Sequence, residues 1–521
     1  MQMALTQMIR RNAQVRQHAV ACAYNGRTQT WPQFLDRISR LAAGLQGLGI
    51  GAGDRVALLA NNSDRYFEYF FAVPWAGGVF VPVNTRLAPP EVEYWLGDSQ
   101  SRVLLVDDDF LHFLPKLEGH MPTVEKIVYV GDREAPAGLI HYESLVSGNS
   151  PAADAGRAGE DLAGLFYTGG TTGVSKGVML SHRNLVSNAL HVIHEMDFFD
   201  EMIWLHSGPM FHLADGTATF GCTMVGGSHR FIPKFDPGAA LAAIEAEKVT
   251  SGLFVPTMMN MVVNHPDVAK RDISSLGSIL YGASPMPEAV VRKAMDLMPG
   301  VQFYHAYGQT ECSPLLTLLK PKYHAFEGPN AGKGKSTGVA VVGVEVIIQD
   351  ADGNECPRGT VGEICARGPN VMQGYWNKPD LTAQTIRDGW IHTGDGGYMD
   401  DEGFVYVVDR VKDMIISGGE NVYSAEVENA VYRHPAVVEC AVIGVPDEKW
   451  GERVHAIVRL HAGQQASAED IIAHCHQLIA NYKCPRSVDF RTEPMPLSGA
   501  GKILKTELRK PYWDGKTKQV N

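Results

Sequence analysis

At 521 residues the chain is too long for one ordinary core, and its 45% apolar content fits a soluble globular protein of at least two domains. A formal charge of −12 argues against a nucleic-acid partner, while leaving room for a small anionic ligand held by a local nest of amides and cations. No run reaches the roughly 18 uninterrupted apolar residues of a membrane span, the opening residues lack a secretory apolar core, and scattered cysteines without a C-x-x-C pair argue against a disulfide framework or structural zinc, so a cytoplasmic location is expected.

From Trp31 the apolar positions Phe34, Leu35, Ile38, Leu41, Leu45 and Leu48 recur at helical spacing, and Gly49 and Gly51 precede the strand-like RVALLA. DRYFEYFFAVPWAG before VFVPV, and PPEVEYWLGDS before RVLLVD, repeat the alternation. Short, nearly continuous apolar strands are buried on both faces, which predicts an α/β region with a largely parallel sheet. Residues 147–160, SGNSPAADAGRAGE, are small and polar and predict a linker between two sublobes.

Next, LAGLFYT predicts a strand and SHRNLVSNALHVIHEM a helix. Between them YTGGTTGVSKGVMLSH, Tyr167 to His182, crowds four glycines and three threonines around Lys176. Where a strand gives way to a helix, unpaired amides and the positive end of the helix dipole favour an anion. Gly169, Gly170 and Gly173 would let the backbone close on phosphate oxygens, with the hydroxyls of Thr168, Thr171 and Thr172 and the charge of Lys176 as further partners. This is not a Walker A loop, because Lys176 follows Ser175 and precedes Gly177; Gly334-Lys335-Ser336 fails as well, since position 329 is proline.

Between Val339 and Val408 the helical pattern vanishes, and VAVVGVEVIIQDADGN, TVGEICARG and GFVYVV predict strands joined by Gly and Asp-Gly turns, a small β-barrel-like lobe of about 339–410. After Arg410 strands VVECAVIGV and VHAIVRL lead to a helix opened by Ser467-Ala468-Glu469-Asp470, a capping-box signal. The expected division is a large N-terminal α/β domain, 1–410, which includes the β lobe, and a small mobile α+β domain, 411–521.

The glycine–threonine loop resembles the signature loop of the adenylate-forming superfamily, which holds acyl-CoA synthetases, adenylation domains of peptide synthetases and firefly luciferase. The resemblance continues in family order through PMFHLADG, YGASP, YGQTE, TGD, DRVKDMIISGGENVYSAEVE and GAGKILKTELR, so it spans essentially the whole chain. It implies that the loop cradles the phosphates of ATP, that Glu311 holds Mg²⁺, and that Thr310 contacts the α-phosphate. Tyr307 would offer a flat face to adenine with Gly282, Ala283 and Ser284 opposite, and Asp395 and Arg410 would take the ribose hydroxyls. Lys502 would reach the attacking carboxylate and the α-phosphate from the small domain, Lys412 would be the hinge, and Gly418 and Gly419 would admit the phosphopantetheine arm of CoA. His212 stands at the family's position beside the acyl carboxylate.

Physical chemistry asks for such a set: a carboxylate attacking a phosphate brings two anions together, and fixed cations must screen them. No general base is needed, since the carboxylate is ionised at pH 7. For the acyl pocket the expected residues are Phe254, Thr257, Met258, Ala306 and Gly308, apolar surroundings that suit a hydrocarbon tail, although Met258, Met259, Met261 and Val262 also have the spacing of a packed helix. His305 departs from the asparagine many relatives carry, and Cys484 from a commonly basic residue. The resulting expectation is an acyl-CoA synthetase for a medium- or long-chain fatty acid, with ATP, CoA and the acid as its small-molecule partners. An aryl-acid CoA ligase, an enzyme loading a carrier-protein pantetheine, and a non-catalytic nucleotide-binding protein are the alternatives. The sequence carries no signal of oligomeric state, a homodimer included.

Overall fold

The computed structural model describes residues 3–168, 175–410, 414–417, 420–447, 450–498 and 501–514. Two large sheets form the body. One has nine strands, in the order Val339–Ala340, Leu315–Leu319, Gln302–Gly308, Ser278–Gly282, Ser251–Leu253, Ile203–His206, Ser228–Phe231, Val20–Tyr24 and Arg27–Thr30; the other has eight, in the order Gly374–Tyr375, Lys176–Ser181, Leu162–Thr168, Val79–Pro82, Arg55–Leu59, Ser101–Val106, Lys126–Tyr129 and Ile140–His141. Their central pairings are parallel, as the alternation of helices and apolar strands requires.

The helix Asp64–Ala76 is buried along its whole length, so its apolar and aromatic residues are not confined to one stripe, and its Asp64, Glu68 and Arg65 are paired with Arg27, Arg37 and Glu143. Phe67, Phe70 and Phe71 from this helix meet Phe34, Phe80 and Phe220 in edge-on and tilted aromatic pairs at the centre of the largest core. Helix Trp31–Gly47 packs beside it, opened by Thr30, whose amide donates to Gln33 Oε1 at 2.8 Å.

Two expectations about connections are corrected. Residues 147–160 do not divide two sheets, because the eight-stranded sheet takes strands from both sides of them and the nine-stranded sheet begins with residues 20–30. Their small side chains let the segment lie flat on the helices, where the Ala152 and Ala155 amides donate to Ser39 and Trp75 carbonyls at 3.0 Å and Trp75 Nε1 donates to Ala152 at 2.9 Å. The glycine–threonine loop, in turn, does not run into a helix. Strand Lys176–Ser181 comes first, antiparallel to Leu162–Thr168, and the helix begins at His182. Alternation explains the strand: Val178 and Leu180 enter one apolar cluster while Met179 packs on another across the sheet. The dipole of that helix therefore begins beyond the strand, at His182.

The β lobe is an antiparallel sheet of Glu345–Gln349, Gly362–Arg367, Trp390–Met399, Ile386–Arg387 and Val405–Arg410, and it contains a short helix, Pro379–Thr385, that the strand pattern hid. Val339–Ala340 belongs instead to the nine-stranded sheet. The small C-terminal domain has its own five-stranded sheet, from Ile415–Ser417 to Ser487–Phe490, and its own core of Val427, Val431, Val442, Val454, Val458, Ile471 and Cys475. Its helix Ala468–His476 is capped by Ser467 and Asp470 as the sequence predicts. Cys484 is buried in that core, with its thiol against the Ile479 and Ala480 carbonyls, so the residue that replaces a basic one is a packing residue. Among the described residues no helix is long and apolar enough to cross a membrane.

Candidate active site

The site lies where the C-terminal ends of adjacent parallel strands open, the usual ligand position of an α/β sheet. Ser278–Gly282 and Gln302–Gly308 run side by side with Gly282 opposite Ala306. Just past the first strand come Ala283 and Ser284, with Ala283 at φ +66°, an uncommon conformation for alanine. Gly282 and Gly308 have φ of +153° and +157°. A Cβ on Gly282 would stand 2.1 Å from the Ala306 carbonyl oxygen, and one on Gly308 would stand 1.9 Å from that of Pro314. Only glycine lets these chains approach so closely.

Beyond Gly308 a 3₁₀ turn, Thr310–Cys312, carries Thr310 and Glu311, both buried. Glu311 Oε1 accepts the Tyr375 hydroxyl at 2.9 Å, and the Lys176 ammonium sits over the Tyr375 ring, 4.8 Å from its centroid. The backbone sets this up. Strand Gly374–Tyr375 pairs with Lys176–Ser181, the Trp376 amide donates to the Gly177 carbonyl at 2.8 Å, and the Met372 amide donates to the Glu311 carbonyl at 2.8 Å. Burial and the Glu311 charge push the Tyr375 phenol well up, so it remains a donor. Reading the sequence missed Tyr375; its signal, a glycine–aromatic pair in MQGYWNKPD, is too short to stand out.

Tyr307 is fixed in a similar way, by its hydroxyl, which donates to Asp395 Oδ2 at 2.9 Å. Asp395 lies in strand Trp390–Met399, in register with Arg410, and thereby joins the β lobe to the strand ends. His305 stacks on Tyr281, 4.6 Å between centroids and 10° between planes, with Nδ1 at 3.1 Å from the Ser336 carbonyl, so it supports the strand rather than facing ligand.

His212 caps the helix Leu213–Val225, accepting the Ala214 amide on Nδ1 at 3.1 Å. Burial and then the nearby Lys502 ammonium push its pKa down to about 3. The ring is therefore neutral at working pH, and with Nδ1 occupied as acceptor its proton is assigned to Nε2. Lys502 comes from the small domain, in a turn whose Ser498 amide donates to the Lys502 carbonyl at 2.7 Å. This turn is docked on the body: the Thr257 hydroxyl donates to the Gly501 carbonyl at 3.1 Å, and an Arg86 guanidinium to that of Ser498. Asn260 Nδ2 to the Val438 carbonyl at 3.0 Å and Arg433 to Glu288 at 3.2 Å extend the interface.

Around these strand ends the structure thus gives three groups, Lys176 and Glu311 joined through Tyr375, Tyr307 with Asp395, and His212 near Lys502, with Thr168 paired opposite Lys176 in the hairpin. Gly169, Gly170, Thr171, Thr172, Gly173, Lys412, Gly418 and Gly419, and the side chain of Arg410, lie outside the described residues. Of the expected acyl-pocket residues, Ala306 and Gly308 stand at the site, but Phe254 and Met258 are buried in a packed cluster with Leu241, Ile244, Met259 and Val262, and Thr257 is engaged by Gly501. A void of about 10 Å³ is what remains beside Phe254 and Met259.

Residues 9–376 match the AMP-binding enzyme family, and residues 426–502 match the AMP-binding enzyme C-terminal domain. The chain belongs to the AMP-binding enzyme family. This AMP-binding enzyme is 39% identical to a feruloyl-CoA synthase of an Amycolatopsis species over 96% of its own length and 98% of the relative's. It is 36% identical to the fatty acid–[acyl-carrier-protein] ligase ScoC of Streptomyces coeruleorubidus, covering 96% and 95% of the two chains. The anthranilate CoA ligase AuaEII, solved in complex with anthranoyl-AMP, superposes with a TM-score of 0.90 at 28% identity, over 98% of this chain and 97% of that one. With such relatives, the AMP-binding enzyme is an AMP-forming acid–thiol ligase of the adenylate-forming superfamily.

Proposed function

We propose that this ligase activates an aryl carboxylic acid, of the phenylpropenoic or benzoic class, and transfers it to CoA. The observation that carries the two-step reading is the docking of the small domain's Lys502 turn on the body through Thr257 and Arg86, near enough for the Lys502 charge to bear on His212. An ammonium and a neutral N–H donor side by side can hold a carboxylate without protonating it, which is what an anionic nucleophile needs.

In the first step a carboxylate oxygen attacks the α-phosphorus of ATP, the bond to the bridging oxygen breaks, and pyrophosphate leaves. Lys502 offsets the charge building on the α-phosphate, His212 Nε2–H orients the acid, and Thr310 donates to the phosphate. The hairpin loop from Thr168 through Gly169, Gly170, Thr171, Thr172 and Gly173 to Lys176 takes the remaining phosphates. Tyr307, with Gly282, Ala283 and Ser284, holds adenine; Asp395 and Arg410 hold ribose. Glu311, a buried hard oxygen donor steadied by Tyr375, fits Mg²⁺, whose other ligands would come from phosphates and water. When bound, that ion supplies screening of phosphate charge. In the second step the small domain turns about Lys412, Gly418 and Gly419 admit the pantetheine arm, the sulfur attacks the acyl carbon, AMP departs with the C–O electrons, and the thiol proton passes to solvent. The division of the chain near residue 410 belongs to this reading.

Two points support an aryl acid. The feruloyl-CoA synthase and anthranilate ligase act on aromatic acids by name. Phe254 and Met258 pack in an apolar cluster with Leu241, Ile244, Met259 and Val262, beside a void of about 10 Å³. A fatty acid is the second reading, supported by the name of ScoC. CoA-dependent pyrophosphate release across aryl, aliphatic and dicarboxylic acids, with hydroxylamine trapping of the adenylate and a carrier protein as a second acceptor, tests both. Faster turnover of medium- or long-chain acids would overturn the substrate class. No hydroxamate from any acid would overturn the reaction.

A further inference from the structure

Away from the strand ends, the β lobe gathers a second set of ligand atoms. Among the described residues, Glu363, Cys365 and His392 form a group of His, Cys and acidic side chains whose ligand atoms all lie within 4.8 Å of one another. Cys365 sits opposite His392 on neighbouring antiparallel strands, and the register shifts between Glu363 and Cys365, a bulge that turns both toward the same ring. Cys365 Sγ is 3.3 Å and Glu363 Oε2 is 2.9 Å from His392 Nδ1, while the thiol also reaches Gln349 Oε1 at 3.2 Å. Arg387 completes the group, with Nη2 at 2.5 Å from the same His392 Nδ1 and 3.6 Å from Glu363 Oε2.

One imidazole nitrogen has a single lone pair or a single proton, yet a thiol, a guanidinium and a carboxylate converge on Nδ1. It cannot serve all three. A divalent cation amid Sγ, Nδ1, Oε2 and the Gln349 amide oxygen would satisfy the four atoms at once. The separations of 3.3, 3.2 and 2.9 Å lie at or somewhat below the roughly 3.3–3.6 Å edges of a tetrahedron with bonds of about 2.0–2.3 Å, so a bound ion would spread the set slightly. In the structure a guanidinium stands in for that charge, and Arg387, about half exposed, can swing into solvent to give way. The sequence conceals the set because no two of its ligands have the spacing of a zinc motif; the strand pairing joins them.

We propose that Glu363, Cys365 and His392, with Gln349 as a fourth donor, form a site for a soft divalent cation of the zinc class, and that its occupation weakens nucleotide binding. The coupling has a short path. Glu363 Oε1 accepts the Gly394 amide at 2.9 Å, next to Asp395, and the Thr393 hydroxyl donates to the Ile364 carbonyl at 2.7 Å, so an ion that draws in Glu363 loosens the turn presenting Asp395. This second half rests on the assignment of Asp395 to the ribose; metal binding itself does not.

Cobalt titrated into the metal-free full-length protein, followed by thiolate-to-cobalt absorption, tests the site with no reference to activity. A saturable band displaced by zinc is expected, lost in Cys365→Ser and weakened about tenfold or more in His392→Gln. Arg387→Gln should tighten binding, since it removes the competing cation, whereas a purely structural ion pair predicts no such gain. Absence of the band, its persistence in Cys365→Ser, or weaker binding in Arg387→Gln would overturn the site. Calorimetric AMP affinity, measured with and without saturating zinc, then tests the coupling: a fall of about fivefold or more is expected, and an unchanged affinity with metal bound would overturn the coupling alone.

Discussion

The Tyr375 hydroxyl donates to Glu311 Oε1 at 2.9 Å while its ring lies under the Lys176 ammonium, 4.8 Å from the centroid, so one side chain touches both the carboxylate and the cation. Tyr375→Phe keeps the ring and removes the hydrogen bond, which leaves a buried carboxylate oxygen without that donor at a cost of about 1–2 kcal/mol in positioning. Adenylation should slow about tenfold, read as pyrophosphate release, with thioester formation from supplied acyl-adenylate little changed. Equal rates for variant and wild type would reduce Tyr375 to packing.

Among the described residues Thr257 makes one of the bonds that dock the small domain, to the Gly501 carbonyl directly before Lys502. Thr257→Val preserves shape and deletes the donor. An expected loss of about five- to tenfold in adenylation compares with about 10²–10³ for Lys502→Ala, because the first alters only the population of the docked turn and the second removes the charge itself. Single-turnover measurements of the two half-reactions separate these effects. Both variants should spare thioester formation.

His212, held down at about 3, stays neutral throughout the assay range, so it adds no limb to the adenylation profile between pH 6 and 8. His212→Gln retains a neutral donor at lower geometric precision, and a loss of about tenfold with an unaltered profile is expected. A limb near pH 6.5 that vanishes in the variant would mean that the ring titrates during turnover.

Much of this was legible in the sequence, for reasons particular residues make plain. The long apolar runs at Arg55–Leu59 and Ser101–Val106 read as strands because both faces are covered. Ser467 and Asp470 announced their helix because capping is local. What stayed hidden was non-local. Tyr375 matters through a pairing with residues some two hundred positions earlier, and the small residues around Ala152 read as a linker although they are pinned to the surfaces of two helices. Lys176–Ser181 reads as part of the glycine–threonine loop because a six-residue strand with two apolar faces has little periodicity of its own.

Gly308 is a sharp test of the strand-end geometry, since φ of +157° and a hypothetical Cβ 1.9 Å from the Pro314 carbonyl oxygen leave alanine no place. The obstacle is backbone rather than a flexible side-chain end, so relief requires the strand or the following turn to move. Gly308→Ala should cost about 3 kcal/mol in denaturant unfolding and should abolish AMP binding at concentrations that saturate the wild type. A variant with unaltered stability would show that the turn can shift without penalty.

His182 offers a pH test remote from the chemistry. It is fully buried at the start of its helix, its Nδ1 accepts the Leu5 amide at 3.2 Å, and burial pushes its pKa down to about 4. An unfolded chain binds a proton at this ring below about pH 6.5, whereas the folded one does not until about pH 4, so unfolding takes up a proton in that window. Stability contributed by the neutral ring is complete above pH 6.5 and declines as the pH falls toward 4. His182→Asn removes the titrating group while leaving an acceptor for Leu5. The slope of unfolding free energy against pH, measured between 4.5 and 6, should be shallower in the variant by about one proton, close to 1.4 kcal/mol per pH unit. Equal slopes would mean that the native ring already accepts a proton in this range, which would require Nδ1 to take it and give up the Leu5 amide, since Nε2 already carries the neutral ring's hydrogen.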